Sequence, residues 1–331
     1  MSIEQKLRQE YGMQAQRLVS PSSLDTRVLE RFRQETAGSR KAVRPVSRIL
    51  FRNALVAVVV FVLLSGFAYA GGKLLFIDKS GSWRIEHRTG GNDFALQHIT
   101  AEQIRSSLKQ VKSELAAGET AVVYFAELEK EANPLYREMP LLVVSNMAPI
   151  TDWEVWSSMW KAGEGLSLAP SQRLGDGFQF QEGKEGYAYG GVMSTEGVAQ
   201  LGPLRQEAKE TGRSVVWHQL PTSDVPVEAY TATYRNAEGE RIFVTMQAAA
   251  AEEITEKVTV PDSIRYEEVP LHGLKAHYQK NDSFLFSETG QFANLLWIQP
   301  ATSGTIKIDV GSDSPNVTKE RLVRAAEGLF R

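Results

Sequence analysis

The sequence predicts an α+β protein, mainly antiparallel sheet with flanking helices, preceded by one transmembrane helix. Three observations carry this. An uncharged twenty-residue run, Asn53–Gly72, is bounded by Arg52 and Lys73. Short strand-like runs bounded by Gly, Pro, Asn and Ser recur through the rest of the chain. The helical patterns between them are few, and two of them open on capping boxes.

The apolar run comes first in the chain. As a helix rising 1.5 Å per residue it spans about the 30 Å of a bilayer core, where only a structure that pairs its own backbone groups is stable. The fifteen residues before it hold Arg40, Lys41, Arg44, Arg48 and Arg52; the fifteen after hold Lys73, Lys79 and Arg84. Excess basic charge marks the cytoplasmic flank, so the expectation is a single-pass protein of the cell membrane with its N-terminus inside. Residues 1–52 hold 11 basic and 5 acidic groups, and residues 53–331 hold 26 and 35. A basic foot and an acidic outer region fit that orientation. The alternative is a cleaved export signal, since Ala68-Tyr69-Ala70 has the A-x-A form of a processing site.

Within residues 1–52, Leu24, Val28 and Phe32 repeat at i, i+4 and i+8 behind a Ser22 or Ser23 cap, and Ile3, Leu7, Tyr11 and Leu18 share an earlier helical face. Two short helices bury too little surface to stand alone. The face of Leu24, Val28 and Phe32 is therefore a candidate contact for a cytoplasmic partner, the inner leaflet or a second copy; a plain solvated tail is the alternative.

The outer region divides near Gly163-Glu-Gly165 into residues 73–163 and 164–331. In the first part, LLFID and WRIEH around Ser80-Gly81 read as a hairpin. Thr100-Ala-Glu-Gln103 caps a helix with Ile104, Leu108, Val111 and Leu115 on one face, closed by Gly118. Ala121–Ala126 and Leu141–Ser145 read as buried strands, and Thr151-Asp-Trp-Glu154 caps a short helix ending near Gly163. The second part offers strands at Phe178–Gln181, Ser214–His218, Val227–Arg235, Arg241–Gln247, Lys275–Gln279, Ala293–Ile298 and Thr305–Val310. It closes with a helix from Val317 to Phe330 whose Leu322, Ala325, Ala326 and Leu329 face inward.

Motifs for chemistry are scarce. The chain has no cysteine, which removes disulfides, thiolate metal sites and cysteine nucleophiles. Five histidines are present, without H-E-x-x-H spacing; His272 and His277 sit at odd spacing on an expected strand and point to opposite faces. No metal or cofactor is expected. No G-x-S-x-G elbow occurs, and Gly183-Lys184 lacks phosphate-loop spacing. The expectation is a non-enzyme. A net charge of −3 gives no footprint for nucleic acid. The distinctive aromatic groups are Trp153, Trp156 and Trp160 on one helical face, and Tyr187 and Tyr189 in the loop GYAYGG. Each is a candidate ligand groove, against core packing for the tryptophans and loop filling for the tyrosines. Glu127–Glu131 reads as a solvated face.

The segment Val269-Pro-Leu-His-Gly-Leu-Lys-Ala-His-Tyr278, then Leu295-Leu-Trp297, then Thr318–Leu322 with Ala325-Ala-Glu327, resembles the domain-of-unknown-function family 4367 over residues 165–331. The resemblance implies an extracytoplasmic domain on a single-pass anchor, similar to anti-sigma-factor-like envelope regulators. It also implies a half-open barrel similar to lipoprotein-carrier domains. Partners implied are a cytoplasmic regulator such as a sigma factor and an envelope ligand or protein; no catalytic residue is implied. The absence of cysteine departs from a zinc-containing anti-sigma domain.

Overall fold

A computed structural model describes residues 72–90, 95–162, 171–190, 193–221, 227–249, 254–301 and 304–330. The apolar run (Gly72 apart) and Leu24, Val28 and Phe32 lie outside these residues. Among the described residues no helix is long and apolar enough to cross a membrane.

The chain begins with the expected hairpin, β1 (Leu74–Ser80) and β2 (Trp83–Thr89), antiparallel with a bulge between Leu74 and Phe76. Helix α1 (Ala101–Glu114) opens on the Thr100–Gln103 capping box. It ends before the expected Gly118 stop. Leu115 is already extended, and Gly118 at φ 88° forms the turn into β3 (Glu119–Phe125).

A 3-10 turn (Ala126–Lys130) and α2 (Pro134–Glu138) lead to β4 (Leu141–Asn146). Here the expected solvated acidic face is corrected. Glu131 is 1% exposed, and its carboxylate accepts the backbone N–H groups of Gln97 and His98 at 2.8 Å; it ties down the approach to α1. Helix α3 (Trp153–Ala162) is capped one residue later than the motif suggested: Asp152 Oδ1 accepts the Val155 N–H at 3.0 Å.

Past residue 170 come β5 (Gln179–Glu185), α4 (Thr195–Ala199), α5 (Leu201–Thr211) and β6 (Val215–Leu220). Strands β7 (Val227–Arg235) and β8 (Arg241–Ala249) form the hairpin turned by Asn236–Gly239. Next are β9 (Ile254–Val260), β10 (Arg265–Leu271), β11 (Leu274–Asn281), β12 (Phe292–Ala301), β13 (Gly304–Ser312) and α6 (Lys319–Glu327), with a final 3-10 turn at Gly328–Phe330. His272 is not on a strand. It and Gly273 form the two-residue β10–β11 turn at φ 49° and 79°, the left-handed pair that a tight hairpin needs.

The described residues form three sheets: β1-β2-β9; β10-β11-β12-β13-β8-β7-β5; and β4-β3-β6. Every pairing is antiparallel except β2 with β9. Two of the sheets are completed across residue 163, since β9 joins β2 and β6 joins β3.

Sheet β4-β3-β6 lies between helices. Ala121, Val123 and Phe125 meet the stripe Ile104, Leu108, Val111 and Leu115 of α1; Val122 and Tyr124 meet Leu204 and Ala208 of α5. Burial on both faces explains its near-continuous apolar strands. The seven-stranded sheet packs one face on α3 and α6 through Trp156, Tyr234, Leu295, Trp297, Leu322 and Ala326. Its opposite face builds the site.

Candidate functional site: a buried polar layer between two sheets

On its second face the seven-stranded sheet has a cross-strand row, Glu268, His277, Leu296, Asp309, Thr245, Thr231 and Lys184. Such alternation usually marks a water-facing surface. Here Phe76, Trp83, Ile85 and Ile254 from sheet β1-β2-β9 pack on Leu296 and Ile298 of that face. Apart from Glu268, which stays exposed on edge strand β10, the polar side chains are thereby covered and must satisfy one another.

They do so in three groups. Lys307, 4% exposed, donates to both oxygens of Glu256 at 2.6 and 2.8 Å, and its ammonium lies 5.4 Å from the Trp83 ring centroid. Beside it, burial pushes the Asp309 carboxyl up to about 6, although Asn294 donates to it at 2.9 Å and Lys307 attracts it. The Thr231 and Thr245 hydroxyls meet at 2.9 Å, and the Thr231 hydroxyl lies 2.8 Å from the Gly186 carbonyl. At the end of the row burial lowers Lys184 to about 8, its ammonium donating to the Ala188 carbonyl at 2.9 Å.

The third group joins the hairpin to the large sheet. His277, fully buried, meets Tyr266 Oη through Nδ1 at 3.0 Å and Asp78 through Nε2 at 3.3 Å. That contact with His277 holds the Asp78 carboxyl below its ordinary range, with burial opposing. Phe76 stacks on the His277 ring at 3.7 Å and on the His87 ring at 4.5 Å. Gln279 donates its amide N–H to His87 Nδ1 at 2.8 Å, which leaves the neutral ring's proton on Nε2. Nε2 is buried and has no hydrogen-bond partner among the described residues. Burial first, then the charges of Lys307 and His277, drive the His87 pKa down to about 3. The layer thus holds one neutral base and one raised carboxyl.

The predicted aromatic residues sit elsewhere and apart. Trp156 is fully buried over Gly183 and edge-on to Tyr230 at 6.1 Å; Trp153 meets Phe180 edge-on at 5.0 Å. Both belong to the core under α3, as the packing alternative has it. Trp160 is on the same helix, and its side chain lies outside the described residues. Tyr189 packs among Phe243, Phe284 and Phe292, and Tyr187 against the Phe76–Trp83 cluster. The tyrosines therefore fill the loop over the polar face, while the tryptophans pack on the other. Among the described residues no three His, Asp or Glu side chains converge as metal ligands.

His87, His277, Asp78, Glu256, Lys307 and Asp309 carry no motif in the sequence, because no short spacing links them. The one local signal is the alternation Ile306-Lys-Ile-Asp-Val310, which announces a strand with a polar face. No protein-family model, curated protein or solved structure matches the chain.

Proposed function

We propose that the chain is a single-pass, membrane-anchored sensor or regulator without catalysis, its N-terminus cytoplasmic and its folded domain extracytoplasmic. The observation that carries this reading is the uncharged run Asn53–Gly72 with its excess of basic residues on the N-terminal side. The first described strand, β1, starts at Leu74, two residues after the run, which leaves a short connection between the expected anchor and the sheet. The resemblance to anti-sigma-like envelope proteins supplies the partner class. The outer domain engages an envelope ligand or protein, and Leu24, Val28 and Phe32 hold a cytoplasmic regulator such as a sigma factor. With residues 1–52 as bait, one specific cytoplasmic protein should be recovered and then lost on Leu24→Asp or Phe32→Asp. Recovery of lipid alone defeats the regulatory reading.

A second reading is an extracytoplasmic binding or carrier module without signalling, anchored or released at Ala68-Tyr69-Ala70. That processing pattern is what favours it. Replacing residues 1–52 with an unrelated basic tail separates the two, because a binding module keeps its activity and a regulator does not.

A further inference from the structure

The small sheet has a second face, and its register is informative. The bulge at Leu75 puts Leu74 and Ile77 on the same side of β1. Paired residues share a side, so the outer face is a lattice of three rows: Lys79, Arg84 and Thr255; Ile77, Glu86 and Lys257; Leu74, Arg88 and Thr259. Four of these nine side chains are basic and one is acidic. The acid is already held, with Glu86 in contact with both Arg84 and Arg88. Leu74 and Ile77 are 42% and 40% exposed, two of only four large apolar side chains so exposed among the described residues. Residues 53–331 otherwise carry an excess of acid, so this face is of opposite sign to the domain that bears it.

Its place in the chain decides the partner. At ~3.5 Å per extended residue, Leu74 lies within about 7 Å, and Ile77 within about 18 Å, of Gly72 at the end of the apolar run. The Leu74–Arg88 end of this face is within reach of headgroup charge, since the screening length at 0.1 M salt is about 10 Å. Exposed aliphatic side chains among Lys and Arg fit an interface of anionic phosphates over acyl chains.

We propose that the outer face of sheet β1-β2-β9 lies on an anionic phospholipid surface, with Leu74 and Ile77 entering the headgroup layer and Lys79, Arg84, Arg88 and Lys257 meeting phosphates. This rests on the anchored reading above and adds which side of the domain faces the lipid. The polar layer is then sandwiched between that docked sheet and the large sheet.

The absence of cysteine makes the test direct. The full chain, with a fluorophore on Ile77→Cys or on Glu238→Cys in the exposed β7–β8 turn, is reconstituted into phosphatidylglycerol or phosphatidylcholine vesicles carrying nitroxide lipid. Quenching at position 77 should exceed that at 238 several-fold with phosphatidylglycerol. The difference should shrink with phosphatidylcholine, at high salt, or in Lys79→Glu/Lys257→Glu, whose fold is checked by near-ultraviolet circular dichroism. Equal quenching at the two positions, in protein that resists alkaline extraction, overturns the proposal and leaves the anchor standing. If the chain is instead extracted, the anchored reading fails and flotation of the released protein decides the matter. Flotation with phosphatidylglycerol but not phosphatidylcholine vesicles supports the docking face, and no flotation overturns it.

Discussion

His87 and Asp309 pull stability in opposite directions as pH changes. An imidazole of ordinary pKa 6.5 that falls to about 3 when folded leaves a proton to the unfolded chain. Its contribution is complete above pH 6.5 and is lost as pH falls toward 3. A carboxyl raised from 3.8 to about 6 does the reverse, because the folded state binds a proton first and gains stability as pH falls from 6 to 3.8. Each is worth about 1.4 kcal/mol per pH unit at most within its window. Between pH 6 and 4 the two slopes nearly cancel. Urea unfolding at pH 7 and pH 5 should therefore show His87→Gln gaining stability relative to wild type on acidification, by about 1–2 kcal/mol, and Asp309→Asn losing a similar amount. Parallel pH profiles for the three proteins would mean that neither group is held as described. Neither residue stands out in the sequence. A histidine in a WRIEH strand and an aspartate alternating with isoleucines read the same whether the polar face meets water or a second sheet.

Elements were legible where one face of a repeat is apolar. The β1–β2 hairpin, the Thr100 capping box, β7 from Val227 to Arg235 and the Leu322–Leu329 stripe of the closing helix all follow from local pattern. Strand β9 did not, and β10 was legible only from Val269 and as one strand with β11. Glu256 points inward to Lys307, and edge strand β10 carries charge and Pro270, so their alternation is written in residues that normally signal solvent. Helix α3 shows how closely one element fits the next. The Trp156 ring covers Gly183 on β5 so tightly that a Cβ there would enter the indole. Gly183→Ala should cost about 1–3 kcal/mol through overpacking, read as a lowered thermal midpoint with a changed near-ultraviolet tryptophan signal. An unchanged midpoint would show that α3 can lift without loss.

At the scale of the molecule, the boundary read near Gly163-Glu-Gly165 gave no sign that two sheets exchange strands across it. A pairing between residues ninety or more positions apart leaves no local trace. Because β9 takes its neighbour from β2 and β6 from β3, residues 164–331 expressed alone lack a partner for both. They should show no single cooperative urea transition, whereas residues 72–331 should. A sharp transition from the shorter fragment would make the second half self-sufficient.

The parallel contact of Trp83–Thr89 with Ile254–Val260 also sets an order of events. Translation releases the amino end first, yet the earliest hairpin lacks its third strand until some 170 further residues have emerged. Long-range closure of that kind is slow. Throughout that interval Phe76, His87 and Trp83 lack the strand and the large sheet that cover them in the folded protein, so misplaced strand pairing is expected first at this hairpin.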